Sequence, residues 1–155
     1  MSKTNAIRIL ESKKINYSTC TYQVNEDKLD AVTVAIEIGA EPESVFKTLV
    51  TRGDKTGINV FCIPANMELN LKKASIVSCN KSVEMIKVKE ITDITGYIRG
   101  GCSPIGMKKE FPTYIDETSQ LFEEIYISAG MRGMQIKIKP DDLTKLVKGS
   151  FVDLI

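Results

Sequence analysis

One local unit limits the fold more than any other. Val45-Phe46-Lys47-Thr48-Leu49-Val50-Thr51 is followed by Gly53-Asp54-Lys55-Thr56-Gly57 and then by Ile58-Asn59-Val60-Phe61-Cys62-Ile63. Two runs rich in β-branched and aromatic residues, joined by a glycine-bounded turn, make an antiparallel hairpin. Pro64 ends it, because proline has no N–H for the ladder. Strand side chains alternate between faces, so Lys47 shares a face with the apolar Val45 and Leu49. A lysine there either extends from a sheet edge to solvent or points into a polar pocket.

Other elements surround this hairpin. Residues 3–14 carry an apolar stripe at helical spacing through Ile7 and Leu10, and Tyr17–Val24 alternates as a strand. Asn25–Lys28 is a polar loop. Ala31–Ile38 is helical, with Gly39 suited to a left-handed cap. Asn70 can cap a short helix over Leu71–Val77, and a second short helix covers Val88–Ile94 and closes at Gly96. Strands follow at Thr113–Ile115, Glu124–Ser128 and Met134–Ile138, and Pro140-Asp141-Asp142 opens a last helix. With no internal repeat and no linker, 155 residues make one domain over 1–155. The expected fold class is α+β, with a mixed, barrel-like sheet flanked by helices.

Composition narrows the chemistry. The chain has no histidine, which removes Ser-His-Asp and Cys-His mechanisms and the histidine-bearing zinc sites. Cys20, Cys62, Cys79 and Cys102 are far apart and form no C-x-x-C pair. Each is therefore read as a small buried hydrophobe, and neither a metal nor a cofactor is expected. No run approaches the roughly 20 apolar residues of a membrane span and no signal-like run opens the chain, so the expected setting is the cytoplasm, with no membrane partner. Net charge is +1, but residues 72–109 hold 8 basic against 3 acidic side chains. That basic third suits a phosphate-bearing ligand and equally suits a solvated lysine surface.

Two glycine-rich segments stand out. Gly96-Tyr97-Ile98-Arg99-Gly100-Gly101-Cys102-Ser103-Pro104-Ile105-Gly106 leads into Lys108-Lys109. It is no P-loop, because Met107 stands where lysine must follow the second glycine. It is no nucleophile elbow either, because Ile105 stands where G-x-S-x-G requires glycine. The second segment, Ser128-Ala129-Gly130-Met131-Arg132-Gly133, joins two strands. Both segments fit an anion-binding backbone nest and equally fit ordinary turns. Cys102 has no histidine to activate it as a nucleophile.

Taken together, Thr21-Tyr22, Val45–Leu49, Gly96–Lys109, Pro112–Asp116 and Ile125–Gly133 resemble the YbaK family of Cys-tRNA(Pro) deacylases, relatives of the editing domain of prolyl-tRNA synthetase. The resemblance runs over nearly the whole chain. It implies trans-editing: hydrolysis of mischarged Cys-tRNA(Pro), in which the cysteinyl thiol attacks its own ester. Ala-tRNA(Pro) deacylation and a non-catalytic module binding a tRNA end or a synthetase are the alternatives. It implies that Lys47 is the catalytic lysine, stabilising charge or anchoring the terminal nucleotide, that Tyr22, Thr48, Gly100, Gly101 and Ser128 line the substrate pocket, and that Lys108 and Lys109 contact acceptor-stem phosphates. The implied partners are the tRNA acceptor end and prolyl-tRNA synthetase. Gln135 stands where members often carry an acid, Ala129 replaces the middle glycine of Ser-Gly-Gly, and the residue of Leu29–Ala31 that faces the pocket is not singled out.

Overall fold

A computed structural model describes residues 3–155 of the chain. Five α-helices and eight strands are present among them. The strands form two sheets. A three-stranded sheet has the order β1 (Ser18–Thr21), β7 (Met134–Ile138), β6 (Ile125–Ser128). A five-stranded sheet has the order β4 (Val83–Met85), β2 (Phe46–Gly53), β3 (Gly57–Pro64), β5 (Thr113–Asp116), β8 (Ser150–Val152). The first sheet is antiparallel, whereas the second mixes antiparallel β4-β2-β3 with parallel β3-β5-β8.

The α+β expectation holds, but the sheet does not close into a barrel. A single parallel bridge, Val45 to Tyr126, links the two sheets. The gap has a local cause. On the outer edge of β2, β4 pairs only Thr51–Gly53 and the bridge holds only Val45, so no strand among the described residues covers the edge at Lys47–Leu49.

Three clusters hold the layers together. Between the sheets, Phe46, Val60, Cys62 and Ile115 meet Ile125, Ile127, Ile136 and Ile138. Ala6, Ile7 and Leu10 of α1 (Asn5–Ser12) and Leu143 of α5 (Pro140–Leu146) complete this core. β3 is buried on both faces, so Phe61 and Ile63 pack the other way, against Ala74 of α3 (Leu71–Val77), Val83 and Leu154. The third cluster seats Ala35 of α2 (Ala31–Ile38) on Val45 and Ala65.

The helix boundaries follow their caps. Thr4, Asp30 and Asn70 accept hydrogen bonds from the main-chain N–H of Ile7, Thr33 and Lys73. Gly39 and Gly96 close α2 and α4 (Ile91–Thr95) in the left-handed conformation. Asp116, fully buried, accepts from Leu154 N–H at 2.9 Å and from Thr118, which ties the end of the chain to β5. The expectation that each cysteine is buried holds in full only for Cys62. Cys20 and Cys102 are part-buried, and Cys79 is exposed, because it follows α3 in a left-handed turn (φ 62°).

Candidate active site

A cavity of about 220 Å³ opens beside the uncovered edge of β2. Four consecutive residues, Val45, Phe46, Lys47 and Thr48, line it. A cavity above one face of a strand would meet only alternate residues, so this one runs along the edge. Gly100 and Cys102 come from the first glycine segment, Ser128 and Gln135 from β6 and β7, and Leu29, Asp30, Ala31 and Val34 from the start of α2. Lys47, Thr48, Gly100 and Ser128 are thus brought together as expected, although 80 residues separate Thr48 from Ser128 in the chain.

Two of the expected lining residues, Gly101 and Tyr22, are not among those that line the cavity. Gly101 packs on the second glycine segment: a Cβ there would lie 3.1 Å from the main chain of Met131 and Arg132, so a side chain would push the two segments apart by a few tenths of an ångström. Tyr22 is half-buried and its N–H donates to Gly133 O at 2.9 Å. Lys108 and Lys109 lie away from the cavity. The Lys108 side chain covers Gly96. Lys109 lines a larger hollow of about 410 Å³ between α1 and the end of α5. All three residues of the Leu29–Ala31 stretch reach the cavity, where the sequence alone singled out none.

The two glycine segments are held by α1 and by Tyr97. Thr4 Oγ1 donates to Ala129 O, and Asn5 Nδ2 donates to Gly106 O at 2.8 Å. Tyr97 is buried and its hydroxyl donates to Ile105 O at 2.6 Å, closing the first segment on itself. Its ring fills the space beside Gly130, where φ is 94° and a Cβ would come within 2.8 Å of the ring.

Lys47 is half-buried, and Nζ donates to the main-chain carbonyl of Ala65 at 3.2 Å. Burial pushes its pKa down, opposed by the carboxylates of Glu68 and Asp30. The lysine is therefore a charge held in place beside the cavity, with donor capacity left over, since an ammonium has three N–H bonds and one is used. The Asp30 carboxyl is held below the usual range by the hydroxyl and N–H of Thr33. Burial raises the Cys102 thiol to about 11 and the Cys62 thiol to about 12, so neither supplies a thiolate near neutral pH. Among the described residues, no group of three or more cysteine and acidic side chains is placed to hold a metal ion, and no helix is long and apolar enough to cross a membrane.

A lysine beside a glycine-walled cavity, with no imidazole and no thiolate, can polarise a carbonyl and orient a reactive ester. Among the described residues, the Asp30 carboxylate is the one ionised acidic group in the cavity lining. Comparison with known proteins points to the same chemistry. The family model of the aminoacyl-tRNA editing domain matches residues 25–146. The chain belongs to the aminoacyl-tRNA editing domain family. It is 50% identical to EbsC of Enterococcus faecalis, a protein named as a Cys-tRNA(Pro)/Cys-tRNA(Cys) deacylase, over 98% of this chain and 93% of that one. It is 24% identical to YwhH of Bacillus subtilis, whose function is uncharacterised, over 79% of each chain. Among solved structures, one described as a trans-editing enzyme for prolyl-tRNA synthetase superposes with a TM-score of 0.82 at 24% identity, covering 99% of this chain and 98% of that one. The protein APE2540 superposes with a TM-score of 0.88 at 16% identity, covering 97% and 99%. At these identities the structural likeness speaks for the fold of this editing domain and for nothing finer.

Proposed function

We propose that the protein is a trans-editing aminoacyl-tRNA deacylase that removes cysteine from mischarged Cys-tRNA(Pro). The observation that carries this reading is the meeting of Lys47, Thr48, Gly100 and Ser128 around one small cavity in an editing-domain fold. A volume of about 220 Å³ falls below the roughly 300–1,000 Å³ of pockets that enclose drug-sized ligands. It suits the aminoacyl end of the substrate and leaves the terminal nucleotide outside. The name of the half-identical enterococcal relative supports the choice of cysteine.

In this reading Lys47 stabilises the negative charge that develops on the ester oxygen, and the backbone at Gly100 orients the ester. Thr48 and Ser128 contact the aminoacyl end, and Gly101 and Tyr22 set the position of the walls. The nucleophile is the cysteinyl thiol of the substrate. A sulfur–carbon bond forms at the carbonyl, the carbon–oxygen bond to the ribose breaks, and the thiol proton ends on the ribose oxygen, so that free tRNA and a thiolactone leave. Such a route needs positioning more than protein acid-base chemistry, which agrees with a chain that has no histidine. Lys108 and Lys109 would meet acceptor-stem phosphates. A net charge of only +1 makes free tRNA a weak ligand, and prolyl-tRNA synthetase would supply the remaining affinity. The cytoplasm is the proposed setting.

The test is deacylation of Cys-tRNA(Pro), Ala-tRNA(Pro) and Ser-tRNA(Pro) by purified protein. Cysteine should leave fastest and serine far more slowly, since a hydroxyl is a poorer nucleophile than a thiol. Faster loss of alanine would reassign the substrate. Lys47→Ala should lower kcat about 100- to 1,000-fold, the usual cost of losing a group that stabilises an oxyanion. If wild type and Lys47→Ala bind the tRNA end but neither turns over any ester, the protein is a binding module.

A further inference from the structure

Gln135 lies in β7 with 5% of its surface exposed, and its side-chain Oε1 has no hydrogen-bond partner. The same residue lines the cavity. A buried acceptor without a donor is costly. Asn59 Oδ1 and Ser119 Oγ are also unpartnered, but of the three only Gln135 lines the cavity, where a ligand can supply the donor. Its position indicates which part of a ligand that would be. Gln135 pairs in register with Ser128 of β6, and directly opposed residues on neighbouring strands project side by side from one face. Ser128 Oγ already accepts a hydrogen bond from Gly130 N–H at 3.2 Å, which leaves its O–H free to donate. The pair therefore offers a ligand one acceptor and one donor next to each other. Asp30 adds an ionised carboxylate to the cavity lining.

We infer that Gln135 is a specificity-determining residue: it accepts a hydrogen bond from the α-ammonium group of the aminoacyl ester while Ser128 donates to the ester carbonyl, so the site selects esters with an unblocked amino group over N-acylated ones. The inference rests on the deacylase reading and does not depend on which amino acid is attached, because every aminoacyl ester carries the α-ammonium. That group offers three N–H donors and a positive charge to an acceptor-lined wall. N-acylation leaves one N–H, removes the charge and adds bulk that a cavity of about 220 Å³ has little room for.

The experiment compares Cys-tRNA(Pro) with N-acetyl-Cys-tRNA(Pro) in the wild type, Gln135→Leu and Gln135→Glu. Acetylation leaves the thiol free, so a substrate-assisted route survives it. Wild type should deacylate the unblocked ester at least tenfold faster. Gln135→Leu should slow the unblocked ester about tenfold, leave the acetylated one unchanged, and melt no lower than wild type, because it removes an unpaired buried acceptor. Gln135→Glu should restore the preference. Equal wild-type rates on the two esters, or equal slowing of both by Gln135→Leu, would overturn the inference. Calorimetry with the non-hydrolysable amide analogues, 3′-cysteinylamido-adenosine with and without an N-acetyl group, separates it from the deacylase reading. A preference for the unblocked analogue that Gln135→Leu abolishes supports the inference even if neither ester turns over, in which case only the deacylase reading fails. No preference in binding overturns the inference.

Discussion

Arg132 Nε donates a hydrogen bond to the main-chain carbonyl of Arg99 at 2.8 Å, which fastens one glycine segment to the other beside Gly100. The same guanidinium lies 3.5 Å from Glu26, an exposed carboxylate of the loop before α2. That ion pair contributes little by itself. The bond to Arg99 matters more, because it fixes the main chain immediately before a residue of the cavity wall.

Replacing Arg132 should therefore disturb chemistry more than folding. Arg132→Ala should lower kcat about tenfold, the equivalent of one hydrogen bond of about 1.4 kcal/mol, and change the melting temperature by no more than a few degrees. Steady-state deacylation and a thermal melt check this. A large drop in melting temperature with unchanged kcat would show that the residue serves the fold alone.

Lys47 should titrate early. Burial disfavours its charged form, and this outweighs the pull of Glu68 and Asp30, so the midpoint should fall below the ordinary lysine value of 10.5. The sign for stability follows. The unfolded chain binds the Lys47 proton more tightly than the folded one, so this group disfavours folding below its folded-state midpoint, and the effect fades as pH rises from there toward 10.5. Glu68→Gln removes the larger opposing influence and should lower the midpoint further. Carbon-13 NMR of labelled lysine reads both. A wild-type midpoint at or above 10.5 would contradict the burial argument.

The thiols should divide by exposure. Cys79 is exposed, while Cys62 and Cys102 are raised to about 12 and about 11 by burial. Near pH 7 an alkylating reagent should modify Cys79 well before the other two, as peptide mass spectrometry of the native protein would show. Cys102→Ala should retain most of the activity although Cys102 lines the cavity, because a protonated thiol is no nucleophile.

The hairpin turn should tolerate no side chain at Gly53. An added Cβ would lie 2.2–2.5 Å from the Asn80 amide, and Asn80 cannot withdraw freely, because its Oδ1 accepts from Lys55 and Thr56 N–H and its Nδ2 donates to Thr56 and Ser78. Gly53→Ala should cost about 1–3 kcal/mol, the usual range for overpacking a filled site, measured as a shift in denaturant midpoint with unchanged slope.

Much of this fold could be read from local signals. The boundaries of α2 and α3 follow from Asp30, Gly39 and Asn70, each of which acts on its own neighbours. The hairpin and β7 were likewise set by pattern and turn chemistry. The three-residue strands β4 and β8 had no such signal. They are too short to show a period, and they exist because Val83–Met85 meets the end of β2 and Ser150–Val152 meets β5. The site divides in the same way. Lys47 was visible as a charge on an apolar strand face, and Thr48, Gly100 and Ser128 came from family resemblance. That Gln135 is buried and unpartnered was not legible, because a strand pattern says which face a residue takes and nothing about which acceptors find donors. The placing of Lys109 beside the hollow between α1 and α5 was equally hidden, since it depends on how the chain turns after Gly106.

The turn held by Asn80 also has a meaning for heredity of form. Lys47 and Thr48 are successive residues of β2, opposite Ile63 and Cys62 of β3. A slip of one residue between these strands would exchange their faces and turn the threonine to where the lysine belongs. The contacts around Gly53 and Asn80 act as a phase marker: they count residues from the hairpin tip, so that the charge arrives on the correct side of the strand each time the protein folds.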